Sequence, residues 1–247
     1  MITDINFYLF AIPVILLYGM AKGGLGPGVG AICVPLLSFV MEPMQAAAIM
    51  LPILCVMDIF AVYHFRRNFD FQRLAILIPS GIVGIILASL LMGQLPADGI
   101  RSVIGVIVIV FCFDYWFRKD GGEKSNSGKI SGFFWGTLAG FTSTQIHAGG
   151  PPVSIYLLPQ KLDKVVLMGT MAIFFAVMNY LKLIPYTLMG ALHIENIMTS
   201  VLLMPLAPIG VRLGNIVLYR VRQQLIYRFL YIALFVSGLK LLYDGFF

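Results

Sequence analysis

The sequence predicts an all-α polytopic membrane protein made of two inverted repeats, each a broken glycine-rich helix hairpin followed by three transmembrane helices. Three observations predict it: an extreme apolar composition, a pair of glycine-rich breaks at matching places in the two halves, and a one-sided distribution of basic residues. Hydrophobic residues make up 60% of the chain, charged residues 11%, and the mean hydropathy is +0.93. That leaves far too much apolar surface for water and too little polar surface for a soluble domain. With 247 residues and ~20 needed per span, no soluble catalytic domain is left over. No basic n-region or small-residue cleavage site precedes Phe7, so the chain from there reads as a retained membrane segment. Cys33, Cys55 and Cys112 sit in separate apolar segments without metal or pairing spacing and read as core fillers.

Apolar runs bounded by charge, glycine or proline place the elements at 7–40 (broken), 44–65, 72–93, 99–117, 130–158 (broken), 165–188, 195–218 and 229–243. The first break is Gly19-Met-Ala-Lys-Gly-Gly-Leu-Gly-Pro-Gly-Val-Gly30, and the second is Gly140-Phe-Thr-Ser-Thr-Gln-Ile-His-Ala-Gly-Gly-Pro-Pro152. Each interrupted region is too short for the ~40 residues of two full crossings and reads as a short or re-entrant hairpin. The polar stretch at 119–129 divides a first membrane repeat, 1–118, from a second, 130–247. An offset of 121 sets Gly19 on Gly140, Gly28 on Gly149 and Asp58 on Asn179, and an offset of 126 sets Pro79 on Pro205 and Gly84 on Gly210.

Charge decides the topology. If each broken region returns to the side it entered from, Arg66, Arg67, Arg73, Arg118, Lys119, Lys124, Lys129, Lys161, Lys164, Arg220, Arg222 and Arg228 share one face and Arg101 alone takes the other, twelve against one. The positive-inside rule makes the crowded face cytoplasmic. Each half then crosses three times, so the halves are inverted and both termini face the periplasm of a bacterial inner membrane.

Paired breaks of this kind point to the binding site of a secondary transporter, because they set half-helix ends and free backbone amides near the bilayer midplane. In the first tip, Lys22 precedes Gly23, Gly24, Gly26, Gly28 and Gly30, which allow close backbone approach and an amide nest. Helix N-termini attract anions, and a lysine at membrane depth needs a partner, which an anionic substrate could be. In the second tip, Thr142, Ser143, Thr144, Gln145 and His147 supply neutral donors ahead of Gly149 and Gly150, and Pro151 and Pro152 suit a first helical turn. Phe141 and Ile146 offer an apolar wall. Glycines also permit close helix packing, which is the competing reading. On the substrate reading, Lys22→Ala weakens anion binding and, by removing an uncompensated charge, leaves the fold intact.

Asp58 lies well inside the 44–65 segment, where a carboxylate costs ~2.5–3.5 kcal/mol. It can pair with Lys22 or Lys182, or carry a coupling proton. Asp58, Asn179 and Lys182 are therefore the candidate coupling group. Lys182 and Arg212 each lie about six residues from a span end, ~9 Å at 1.5 Å per residue, and are expected to snorkel to the interface. An intramembrane enzyme would need a nucleophile with its base or a metal set, and no Gly-x-Ser-x-Gly, His-Glu-x-x-His or paired carboxylates occur. A cation, metal or proton pathway is the alternative function, and it would call for more buried acidic or histidine residues than Asp58 and His147. No cofactor, metal or nucleic acid is expected. The partners are a small anion, the lipid bilayer and, as coupling ion, protons.

At these residues the chain resembles the TauE/SafE sulfite exporter family of bacterial membrane transporters. The likeness runs through the first glycine-rich segment into Val34-Pro35-Leu36-Leu37, through Ala46-Ala47-Ala48, the polar linker and Gly149-Gly150-Pro151-Pro152. It implies transport of sulfur-containing anions such as sulfite or organosulfonates, and the carry-over extends to the two glycine-rich clusters alone. The second tip departs from the first by placing Gln145-Ile146-His147 where the first has Gly24-Leu25-Gly26. Two unlike tips suit an asymmetric ligand, which favours a sulfonate with an organic tail over sulfite.

Overall fold

The computed structural model describes residues 2, 4–37, 40–91, 96–117 and 128–246. Most of the expected linker at 119–129, with its basic residues Lys119 and Lys124, lies outside the described residues, as does Arg118. All regular structure among the described residues is helical. Helix α1 (Ile5–Met20) passes through a π-helical turn (Ala21–Leu25) into α2 (Pro27–Leu37), followed by α3 (Pro43–Phe65), α4 (Phe71–Leu90) and α5 (Ala97–Phe117). Helix α6 (Lys129–Ile146) breaks before α7 (Gly150–Leu157), and a 3-10 turn (Leu158–Gln160) leads to α8 (Lys164–Leu188), α9 (Ile194–Leu203), α10 (Leu206–Arg220) and α11 (Gln223–Phe246).

Among the described residues, five helical stretches are long and apolar enough to cross a membrane: Ile5–Leu25, Gln45–Phe65, Phe71–Leu90, Lys164–Leu188 and Gln223–Phe246. The pair α9–α10, bent by 46°, makes a sixth if taken as one span. Ile5, Leu9, Leu90, Val110, Ile184 and Leu188 are among the many large apolar side chains left exposed on the outer faces, as lipid contact requires. The chain is a multi-pass, all-α membrane protein.

Two boundaries differ from the sequence expectation. The expected single segment 195–218 is interrupted at Met204 and Pro205. Pro205 and Pro208 together remove two backbone donors within four residues, whereas α4 carries Pro79 alone and stays continuous. The last helix begins at Gln223 rather than 229, because polar first-turn residues extend a helix beyond its apolar run without breaking its hydrogen bonds.

Glycine contacts hold the bundle together, and they fall in like pairs. A Cβ at Gly210 would strike the Leu16 carbonyl and the Gly19 backbone, and one at Gly84 would strike the Thr137 carbonyl. Gly140 similarly abuts the Gly81 backbone. Thus α1 meets α10 and α6 meets α4 through small residues that let backbones touch, with Leu16 and Thr137 separated by the 121 offset and Gly84 and Gly210 by the 126 offset. Helix α2 packs on α11 as α7 packs on α5, while α3 packs on α8.

Candidate functional site

Each break holds a residue at positive φ. Gly26 has φ 84° and His147 has φ 55°, and their separation is again 121 residues. In the first break the poor helix formers Gly23 and Gly24 widen the last turn of α1, and the Gly26 amide closes it on the Ala21 carbonyl at 2.9 Å. In the second, the amides of His147 and Ala148 both point to the Thr142 carbonyl, ending α6. A histidine in the left-handed region costs ~1–2 kcal/mol that glycine would not, and strain of this kind concentrates where a side chain has a task. The two tips touch: a Cβ on Gly150 would come within 2.5 Å of the Pro27 carbonyl oxygen. The N-termini of α2 and α7 therefore meet inside the protein, with the positive ends of their dipoles brought together.

Beside this meeting point is a cavity of about 40 Å³, counted as space open to water centres. At 10–15 Å³ per water it has room for about three. One stripe of α8, comprising Met168, Met171, Ala172, Phe175, Asn179 and Lys182, forms a wall at helical spacing. Lys22, Gly26, Gly30, Ser143, His147 and Gly150 also line it.

Lys22, carried by the π-helical turn, places Nζ 2.5 Å from Asp58 Oδ1 on α3, and Asn179 Nδ2 donates to Asp58 Oδ2 at 2.6 Å. The Lys22 ammonium also sits 5.3 Å from the centre of the Phe175 ring, within cation–π range. Asp58 is fully buried. Of the two partners the sequence allowed for Asp58, the structure selects Lys22, so the charge on this lysine is compensated and not free as expected.

Lys182 is a correction. The sequence reading sent it to the interface, yet it is 1% exposed. Its Nζ donates to Ser143 O at 3.2 Å and Ser143 Oγ at 3.0 Å. Among the described residues no carboxylate pairs with it. One turn on, Tyr186 Oη lies 3.3 Å from both the Thr144 carbonyl oxygen and His147 Nδ1. His147 Nε2 is buried without a hydrogen-bonding partner among the described residues. Arg212 is exposed.

The remaining candidates divide. Gly26, Gly30 and Gly150 line the cavity. Gly23 and Gly24 instead abut α10 at Val211, Gly214 and Leu218, Gly28 abuts α11 at Leu234, and Gly149 abuts Ala139 and Ser143. These four follow the packing reading. The Thr142 hydroxyl is held by the Leu138 carbonyl at 2.8 Å, Thr144 by the Gly140 carbonyl at 2.8 Å, and Gln145 by the Ala88 carbonyl at 3.0 Å. The two threonine hydroxyls are thus spent on backbone, and Gln145, with one amide hydrogen so used, does not line the cavity. Phe141 lines an outer groove with Phe133, Phe134 and Thr137, so it is no wall of this cavity, and the Ile146 side chain lies outside the described residues. Sequence reasoning missed Tyr18, Met168, Met171 and Phe175. The signal available was the run 168, 171, 175, 179, 182, 186 on one face of a helix already carrying Asn179.

A family model described as Sulfite exporter TauE/SafE matches residues 11–241. No curated protein and no solved structure matches the chain. The match runs through both breaks, both lysines and Asp58, and by it the chain belongs to the TauE/SafE sulfite exporter family of membrane transporters.

Proposed function

We propose that this transporter moves small, singly charged sulfur oxyanions, of the sulfite or organosulfonate class, across the bacterial inner membrane by alternating access. The cavity at the meeting tips is its substrate site, and Asp58 is its proton-coupling group. The observation that carries the reading is the charge inventory at that cavity: two lysines line it, Lys22 and Lys182, and the one carboxylate beside them among the described residues is the buried Asp58, paired with Lys22. The balance of one positive charge suits a monoanion. A dianion would leave one charge uncompensated after losing its water, which is costly. Tyr18, Met168, Met171 and Phe175 supply apolar wall for a short organic tail. The like-with-like helix contacts support a two-fold relation between the repeats 1–118 and 130–247, and the one-sided basic residues favour an inverted pair with a cytoplasmic linker and both termini periplasmic. Rocking of one half against the other around the tips then exposes the site to each side in turn.

Proteoliposomes loaded with labelled sulfite or methanesulfonate test this reading. Saturable exchange of these anions, with sulfate a poor competitor and divalent metal ions not carried, is the expected result. Metal uptake without anion exchange would favour the cation pathway instead. For topology, single cysteines at Gly128 and Gln223 are expected to label from the cytoplasm and one at Gly99 from the periplasm. Labelling of Gly128 and Gln223 from opposite faces rules out the inverted arrangement.

A further inference from the structure

Lys22 is the lysine that the glycine-rich motif draws attention to, but it already holds a carboxylate. We propose that Lys182 is the residue that grips the substrate, and that with Ser143 and His147 it forms a three-donor seat that reads an anion head with three oxygens. This rests on the anion-transport reading and names the groups that would carry it out. Three features of the geometry support it. The Lys182 ammonium has three hydrogens, of which the Ser143 carbonyl and hydroxyl oxygens take two, leaving one for a ligand in the cavity that Lys182 lines. Because Ser143 Oγ accepts from Lys182, its own hydrogen is free to donate. His147 Nε2 is the buried polar atom on this wall that no described residue satisfies.

The Tyr186 hydroxyl sets which form of His147 meets the ligand. It has one hydrogen and two acceptors at 3.3 Å, Thr144 O and His147 Nδ1. When that hydrogen goes to Nδ1, Nε2 carries the ring proton and becomes a donor. An anion oxygen at Nε2 selects this arrangement. Tyr186 is thus a positioning residue, one turn along α8 from Lys182 on the same face. Three donors in a space for about three waters match a sulfonate or bisulfite head better than a two-oxygen carboxylate.

The test is calorimetric titration of the purified full-length protein with methanesulfonate and with acetate, each variant being checked by its melting temperature. Lys182→Met is expected to weaken methanesulfonate binding roughly ten- to a hundredfold, the range for loss of a hydrogen bond to a charged group. Ser143→Ala and His147→Asn should each weaken it roughly three- to tenfold. Asparagine tolerates the left-handed backbone of position 147 while deleting Nε2. Lys182→Arg should recover part of the loss, and Arg212→Met, which removes an exposed cation outside the cavity, should bind as the wild type does. The preference for methanesulfonate over acetate should shrink in the His147 and Ser143 variants. Should Lys182→Met fail to fold, these two variants decide the matter. Wild-type affinity in the folded Lys182, Ser143 and His147 variants overturns this seat while leaving anion transport standing. A wild-type protein that binds none of the anions overturns both.

Discussion

The two tips occupy corresponding places but are charged differently. At the 121 offset Lys22 corresponds to Ser143, Gly26 to His147 and Asp58 to Asn179. The first half thus holds a complete ion pair, 2.5 Å long with its carboxylate buried, and the second half has no ion pair at those places. Its lysine comes instead from α8, where Lys182 reaches back to Ser143, the counterpart of Lys22. In the first half the matching position is Ala61, buried in α3. On the repeat reading proposed above, the two tips are loaded asymmetrically: one tip has its charge compensated, and the other leaves a cation facing the cavity. Asn179 bridges the two by donating to Asp58 across the centre, so the carboxylate is held by both halves at once.

The largest effect should come from breaking the ion pair. At the sequence level Lys22→Ala looks harmless to the fold, but the structure reverses that expectation because Asp58 would be left buried without its cation. Removing one partner of a buried pair costs ~3–5 kcal/mol, so Lys22→Ala should lower the melting temperature of the detergent-purified protein sharply. Replacing both partners by apolar residues, Lys22→Met with Asp58→Leu, should recover most of the loss. Lys182→Met removes an ammonium that has no carboxylate and should melt at or above the wild type. Equal destabilisation by Lys22→Ala and Lys182→Met would erase the asymmetry between the tips.

A second break addresses what the tips have in common. A methyl group on Gly150 would lie 2.5 Å from the Pro27 carbonyl oxygen, and a backbone oxygen cannot swing aside as a side-chain end can. Gly150→Ala should therefore push the tips apart at ~1–3 kcal/mol and suppress anion exchange. The same change at Gly128, which has open space around it, should affect neither. Wild-type exchange in the Gly150 variant would show that the tips need not meet.

How much of this was legible depended on what each signal encodes. The breaks were visible because glycine and proline act locally: clusters at 19–30 and 140–152 interrupt helices wherever those helices pack, and they do so at Ala21–Gly26 and at His147–Gly149. Asp58 was visible because a carboxylate deep in an apolar run has few explanations. The rotation of each helix was not visible. Gly23 and Gly26 are three residues apart, yet one packs on α10 and the other lines the cavity. Lys182 was misjudged because distance from a span end says nothing about the face a side chain occupies, and its face, shared with Asn179 and Tyr186, turns inward. The interruption at Pro205 was missed for a related reason: an apolar run continues through a proline whether or not the helix does.

The smallest expected effect is the most specific to the charge argument. Asp58→Asn removes the one carboxylate beside the cavity among the described residues and raises the balance there from one positive charge to two. The new amide offers one acceptor where the carboxylate offered two, so either Lys22 or Asn179 loses its hydrogen bond. Lys22 loses its carboxylate but lines the cavity, where water can reach its ammonium, so the variant should lose less stability than Lys22→Ala, which strands the fully buried Asp58. A second charge on the ligand would then gain about 1.7 kcal/mol, taking an effective dielectric of about 20 and a separation of about 10 Å, or roughly fifteenfold in affinity. Sulfate should accordingly approach methanesulfonate as a ligand in this variant, measured by competition against labelled methanesulfonate. The same substitution removes the group proposed to carry the coupling proton, so exchange should persist while accumulation driven by a pH gradient disappears. The two readouts separate the roles of Asp58. Unchanged sulfate discrimination would mean that Asp58 does not set the charge felt by the ligand, and surviving proton-driven accumulation would place the coupling group elsewhere.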